Sequence, residues 1–534
     1  MCLISSPHSA SHCAWRFIST FRFGGKLRDA RLWTIAPYGL IVAMLGGCAT
    51  LDAQREVVQS ADYVEHATGV QAEIVLHDEE SARGKTDELL AGGISHDEAV
   101  QVALLNNPRA RAAMLSVGVS RADFVQSTLF SNPTLTLSFR FPDGGGLANF
   151  EASLSQNIAE LWLIPARKQV AQRQLDRTIL QAANSLAVIA LDARRAYTRA
   201  RMASQQEAVA RDTSVILDRL LEVAERRRQA GSGSEIDVNL ARTRKLEAQT
   251  NLRNAELATI EAHSSLARIL GLTQAPSSLE LSAGLPDPEA FAVSPESLQE
   301  FARENRLDLR IAEKAVSQAR AKSRAERRRF LKSIQVGFAL ERIERRSRGR
   351  RDWIEEVFYD SLQSGQLSPP NFMPRDEQTN DVILGPTFGI ELPLWDQNQA
   401  QIAKADRLLE QTIQIRDALL VDVAQDIHAR LARAKTAAEN AIFYRNEQLP
   451  AAERNVELSR EAYKVGRLNL LNVLEAEQSY LAARSGYLSA LEDAAIAIVG
   501  LEQVTGRPAT ALLKQSESQT EDQLQDHSVT EVKP

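Results

Sequence analysis

A chain of 534 residues with 44% hydrophobic but only 5% aromatic side chains is poorly supplied for several compact cores, and the crowding of Ala, Leu, Glu, Gln and Arg into proline-poor stretches points to long packed helices. Cysteines stand only at 2, 13 and 48, so a chain cut just before Cys48 keeps one thiol, which excludes an intrachain disulfide framework and a cysteine-based zinc site. The same cut removes Arg16, Arg22, Lys26, Arg28 and Arg31 with the single acid Asp29, lowering the net charge from −6 to −10 and excluding a general affinity for nucleic acid.

The first element in the chain is the run Arg31 to Thr50. A positive flank precedes an apolar stretch, Leu32 to Leu45, too short for a stop-transfer helix, and it reads as an export signal over residues 1–47. Its end, Leu45-Gly46-Gly47-Cys48, resembles a bacterial lipobox with Cys48 as the acylated thiol; the competing reading is a buried apolar strand with an incidental cysteine. No other segment holds the roughly 18 apolar residues of a spanning helix, so any further membrane insertion must use strands.

The rest of the chain is one long unit present twice. Residues 95–122 align without gaps on 294–321, with Ser95/Ser294, Ala103/Ala302, Asn106/Asn305 and Arg111/Arg310 identical. Further on, Gly231/Gly466, Val238/Val473, Ala241/Ala476, Ala248/Ala483 and Gly271/Gly506 match, and Leu161-Trp162 recurs as Leu394-Trp395. Each copy opens with a helix. Ser95 to Glu98 has capping-box spacing, Ser294-Pro295 puts an N-cap before a proline, and the helices are predicted to run to about Leu129 and Phe330.

The hydrophobic period then changes from 3.6 to 2. Leu135, Leu137, Phe139 and Phe141 alternate with polar residues, and so do Phe150, Ala152 and Leu154 beyond the turn-like Asp143 to Gly146. Copy two repeats the pattern with Ile334, Val336, Phe338 and Leu340, then Phe388, Ile390 and Leu392. Such strands suit soluble hairpins, or a lipid-facing barrel with apolar residues outward. Four strands cannot close a membrane barrel, whose smallest members have about eight, so a barrel would be shared between chains. Between the copy-two strands, Glu341 to Asp381 has no counterpart in copy one and carries Arg342, Arg345, Arg346, Arg348, Arg350 and Arg351. This run is a solvated face, or a site for lipopolysaccharide phosphates at the outer mouth.

After each strand pair comes the longest helical stretch, predicted from about Arg167 to Ala230 and from about Gln399 to Val465. It reverses at Gly231 or Gly466 and returns over Glu235 to Leu270 or Leu470 to Thr505, stopping at Gly271 or Gly506. The return covers about half the outward length, and the opening helix of each copy matches the missing half. Two shorter helices stacked end to end are therefore expected beside one long one.

With these motifs in view the chain resembles the TolC-type outer-membrane efflux proteins, in their lipoprotein branch. The resemblance covers 95 to about 506. At the tips, Tyr463 to Glu477 matches the family's Tyr-x-Val-Gly…Asp-Val-Leu pattern, and Gly231 to Arg242 keeps the Gly-to-Asp spacing. It implies a mostly α fold with a membrane β-barrel: a homotrimer with one 12-stranded barrel, continued by a periplasmic α-helical barrel. It also implies a lipid-anchored place in the outer membrane with a large periplasmic portion, and no cofactor or enzymatic activity. Partners would be a periplasmic adaptor (membrane fusion) protein and an inner-membrane pump of RND or ABC type. On this reading 48–94 is an anchor and periplasmic linker, 95–271 the first repeat with its hairpin at about 133–157, and 272–293 an equatorial connector. The second repeat is 294–506, with strands at about 333–341 and 382–393, and 507–534 is an acidic flexible tail.

The resemblance places a periplasmic gate at the tip turns Gly231 and Gly466, where Tyr463 would bond Asp237 and Arg467 would pair with Glu475. Asn472 stands where the family usually has Asp, so a ring of three Asn carries no charge there, although Glu475 could supply one; Asp237 and Asn472 otherwise read as helix caps. There is no HExxH, GxxxxGK[ST] or GxSxG in the chain, and the eight His are scattered. Two other classes share some features. A periplasmic adaptor has one coiled-coil hairpin flanked by globular β-domains, and a structural coiled-coil envelope lipoprotein would lack the alternating strands.

Overall fold

In the computed structural model the residues described are 51–71, 79–141, 148–273, 279–282, 293–345, 358, 361–366 and 379–508. They lie in the unit Leu51–Pro534. Cys48 and the export signal, the 143–146 turn, Arg346, Arg348, Arg350, Arg351 and the tail from 509 lie outside them.

Helices α1 (Gln54–Thr68) and α2 (Glu79–Leu90) lead into copy one. The capping box forms as expected: Ser95 Oγ accepts from the Glu98 N–H at 3.4 Å and a Glu98 carboxylate oxygen accepts from the Ser95 N–H at 2.8 Å. The opening helix is broken, however, into α3 (His96–Asn106) and α4 (Pro108–Thr128). Pro108 has no N–H to continue α3 and sits at the start of α4, where Asn107 caps the Arg109 N–H at 2.8 Å. Copy two breaks at the same place without a proline, into α7 (Pro295–Asn305) and α8 (Leu307–Arg328), with Arg306 extended at φ −64°, ψ 123°.

Strands β1 (Thr134–Arg140) and β2 (Asn149–Asn157) precede α5 (Glu160–Gln229), which holds 70 residues and so reaches about 105 Å. Pro165 lies in its second turn and does not break it. The return helix α6 is Glu235–Leu270. In copy two, β3 (Ile334–Arg345) and β4 (Thr379–Ile390) precede α9 (Gln399–Phe443), a π-turn (Tyr444–Gln448), α10 (Leu449–Lys464) and the return helix α11 (Leu470–Thr505). β3 therefore runs four residues further than expected, carrying Arg342 and Arg345, and β4 starts and ends three residues earlier. The expected unbroken copy-two helix is likewise corrected by the π-turn just before Pro450, which cannot donate to the ladder.

The expected stacking of two short helices beside a long one is present in both copies, and the break in each opening helix is what permits it. Gly271 ends α6 in the left-handed region (φ 71°) against the α3–α4 break. There Asn106 Nδ2 donates to the Leu270 and Gly271 carbonyls at 3.0 and 2.9 Å, and Asn107 Nδ2 donates to Ile269 O at 2.8 Å. Gly506 (φ 72°) seats against Asn305 and Arg306 in the same way, with Arg306 Nη1 donating to Val504 O at 3.1 Å. The α5 face beneath is lined by small residues, with Ala183, Ala190, Ala193 and Ala200 fully buried, so neighbouring helices approach closely. At mid-length the buried Arg194 joins the copies. Its Nη1 donates to Glu502 of α11 at 2.8 Å, while Nη2 donates to Thr68 O of α1 at 2.9 Å and to Asp97 of α3 at 3.4 Å.

Candidate functional site

The four strands form one antiparallel sheet in the order β1-β2-β3-β4. Register puts like with like: Leu135 opposes Leu154, Phe139 opposes Phe150, Leu154 opposes Phe338, Leu340 opposes Leu384 and Val336 opposes Phe388. Residues directly opposite share a face, so these side chains make one apolar surface across all four strands. That surface is bare. Leu135 is 62% exposed, Phe338 64% and Leu384 and Phe388 70% each. Across the sheet Ser138, Glu151 and Glu341 point the other way, and Arg140 pairs with Glu151 at 2.9 Å. The outer edges of β1 and β4 have no strand partner among the described residues.

At the far end of the helices the two turns have one geometry. Gly231 and Gly466 each sit at φ 75°, with Gly231 N–H bonding Arg228 O and Gly466 N–H bonding Tyr463 O, both at 3.0 Å. The next residue reaches one turn further back in each case, Ser232 to Arg227 O and Arg467 to Ala462 O, at 2.9 Å. Leu217, Leu221 and Val238 of copy one pack with Leu470 and Leu474 of copy two, and the half-buried Tyr463 lies against them. The two tips are thus one packed body.

Of the gate residues, Asp237 completes a capping box: its Oδ2 accepts from the Ser234 N–H at 3.3 Å. Asn472 is not the cap of its helix; it supplies the N–H that the capping Asn469 accepts at 3.1 Å. Tyr463 carries the Arg227 guanidinium over its ring at 4.5 Å. Arg467 and Glu475 are exposed. Within one chain the structure brings Tyr463 and Asp237 into the same tip, but makes neither a Tyr463–Asp237 bond nor an Arg467–Glu475 pair. Contacts that sequence reading missed include the Arg227 stack and the pair of Arg460 with the buried Glu477. The run Arg226-Arg227-Arg228 ahead of Gly231 was the available signal, since cations suit a helix C-terminus. Among the described residues no group of His, Cys, Asp or Glu is arranged to hold a metal ion, and no helix is long and apolar enough to cross a membrane.

Comparison with known proteins accords with this geometry. Residues 298–507 match the family model for the outer membrane efflux proteins. Among solved structures, the chain is similar to a membrane protein from Pseudomonas aeruginosa (18% identity, 77% of this chain and 93% of that one, TM-score 0.59). It is also similar to the Campylobacter jejuni CmeC outer membrane channel (15%, 79% and 89%, TM-score 0.59). A third is the open state of the Neisseria gonorrhoeae MtrE outer membrane channel (18%, 77% and 88%, TM-score 0.58). No curated protein matches the chain. The chain therefore has the fold of these outer membrane channels, as the TolC-type resemblance implies, and the stretch that matches the family model falls in its second repeat.

Proposed function

We propose that this chain is the outer-membrane channel of a tripartite efflux or secretion system, a passive trimeric conduit opened by a periplasmic adaptor and an inner-membrane pump. The observation that carries the reading is the bare apolar face shared by four antiparallel strands at one end of a helical body whose longest helix reaches about 105 Å. A soluble sheet would cover that face, whereas a lipid bilayer requires it, together with closure of both sheet edges. Three copies joined β4 to β1 make a closed sheet of twelve strands. Neither a periplasmic adaptor nor a purely structural coiled coil has use for such a surface.

Cys48 supplies the lipid anchor, 1–47 being removed, and the tip carrying Asp237, Tyr463, Arg467, Asn472 and Glu475 is the gate. In the gate Tyr463 bonds Asp237 across neighbouring helices and Arg467 pairs with Glu475 when the tip is shut. The detergent-solubilised protein should have a trimeric mass by light scattering and form channels in planar bilayers; a monomeric mass would refute the reading. Radioactive fatty acid should label the wild type but not Cys48→Ser, and equal labelling of both would remove the anchor alone.

A further inference from the structure

On the reading of the chain as a tunnel, one cluster of charge is left without a role. Arg195 and Arg199 of α5 and Arg430 and Arg433 of α9 converge from two sides on a groove of about 280 Å³, floored by Ile496, Ala497 and Gln503 of α11. Arg195 is held by Asp192 at 2.9 Å and by Gln503. Arg199, Arg430 and Arg433 make no ion pair within 4.0 Å among the described residues. All three are exposed, so an arriving anion meets guanidinium groups that no carboxylate holds at ion-pair distance.

The groove lies on a definite side of the wall. Arg194, one residue before Arg195, bonds α1 and α3, and the His428 ring contacts Gln299 of α7 at 3.1 Å. At 100° per residue, Arg195 and Arg199 point about 100° and 140° away from Arg194, and Arg430 and Arg433 about 160° and 140° away from His428. Arg199, Arg430 and Arg433 therefore point away from the layer of α1, α3 and α7, while Arg195 points along the wall to Gln503 of α11, the helix that Arg194 also reaches through Glu502. Each chain gives four helical lanes to the wall: α6 with α4, α5, α11 with α8, and α9 with α10. A ring of twelve lanes about 9.5 Å apart is about 36 Å across between axes and about 26 Å clear. Nine further helices do not fit in that bore, so α1, α3 and α7 lie outside and the arginines line the lumen.

The acidic groups near the cluster are few. Asp192 is engaged by Arg195, and Asp493 lines the adjoining groove, which shares Arg433. Burial, first of all, pushes the half-buried Glu492 above the ordinary carboxylate range; Arg199 pulls it down and Asp493 up again.

We propose that Arg199, Arg430 and Arg433, braced by Arg195, form a binding site for an oxyanion, the carboxylate or phosphate of a cargo molecule in transit, repeated three times around the tunnel. Guanidinium forks match both groups bidentately, and apolar Ile496 and Ala497 between them suit an amphipathic anion.

The test uses the full-length protein at about 10 mM salt, where screening is weak. Citrate and inorganic phosphate are titrated calorimetrically into the wild type and into the triple variant Arg199→Gln, Arg430→Gln, Arg433→Gln, each first shown to have the same oligomeric mass. At least one probe should bind the wild type, the tighter one naming the class, and bind the variant about tenfold or more weakly. Absence of wild-type binding, or equal binding by both proteins, would overturn the site. In planar bilayers the same probe should reduce wild-type conductance and spare the variant, and equal reduction in both overturns a site in the path of transit. If inserted protein carries no current, the channel reading fails while calorimetry still decides whether the anion site exists.

Discussion

Gly271 and Gly506 show how much of the architecture hangs on single residues. A Cβ on Gly271 would meet the Asn106 carbonyl oxygen at 2.7 Å, and one on Gly506 the Asn305 oxygen at 3.0 Å, in both cases at a backbone conformation L side chains rarely adopt. Gly231 has the same conformation in open space. Gly231→Ala should thus cost only the conformational term, about 1 kcal/mol. Gly271→Ala adds displacement of a backbone oxygen and should cost about 2–3 kcal/mol, with Gly506→Ala between them. Urea unfolding in detergent checks the order, and equal midpoints for all three would refute the docking of each return helix on its break. The identities Asn106/Asn305 and Gly271/Gly506 were legible in the sequence, but not that they touch. A carbonyl 164 residues away in the chain leaves no local pattern.

At the scale of the element, the two faces of the strands were legible though their ends were not, because a period of two with one apolar face survives any register that keeps the faces apart. Their two faces make opposite predictions. Phe338→Arg puts a charge on the apolar side and should cost about 2–4 kcal/mol near the bilayer midplane, whereas Ala339→Arg, one residue along, should cost little. The measurement is refolding into phospholipid vesicles followed by heat-modifiable migration; equal yields would show that the face does not meet lipid. The long helices were legible in extent but not in continuity. Pro165 and Pro450 are equally visible in the sequence, yet only the second coincides with a π-turn. Pro165 falls near a helix start, where few ladder bonds exist to lose, and Pro450 falls in the middle. The π-turn also seats the Tyr444 ring on Gly486, where a Cβ would come within 2.7 Å of it.

For the whole molecule, on the proposed reading, the tip is the narrowest point of the tunnel and resistance to ion flow should concentrate there. Tyr463→Phe with Arg467→Ser removes the two latch donors, while the ring of residue 463 stays under Arg227 and against Leu470 and Leu474. The trimer should form normally and single-channel conductance should rise severalfold. An unchanged conductance from an intact trimer would show that these residues do not hold the latch, and the exposed Asn472 and its neighbours would be next.

By itself the sequence determined what period and glycine stops set: the duplication, the alternating strands, the return helices, which run from Glu235 to Leu270 and from Leu470 to Thr505 as expected, and the turns at Gly231 and Gly466. These are set by neighbours within a few residues, and each copy states them independently. Only the tertiary structure decided what distant segments do to one another. It seated Gly271 and Gly506 on the breaks of the opening helices, placed Arg194 between Glu502, Thr68 and Asp97, stacked Arg227 on Tyr463, and drew four arginines from two long helices to one groove. A charge or a carbonyl carries no mark of its partner in the linear chain. Packing the copies side by side is what fixes which face of each helix meets water, a neighbour or the lumen.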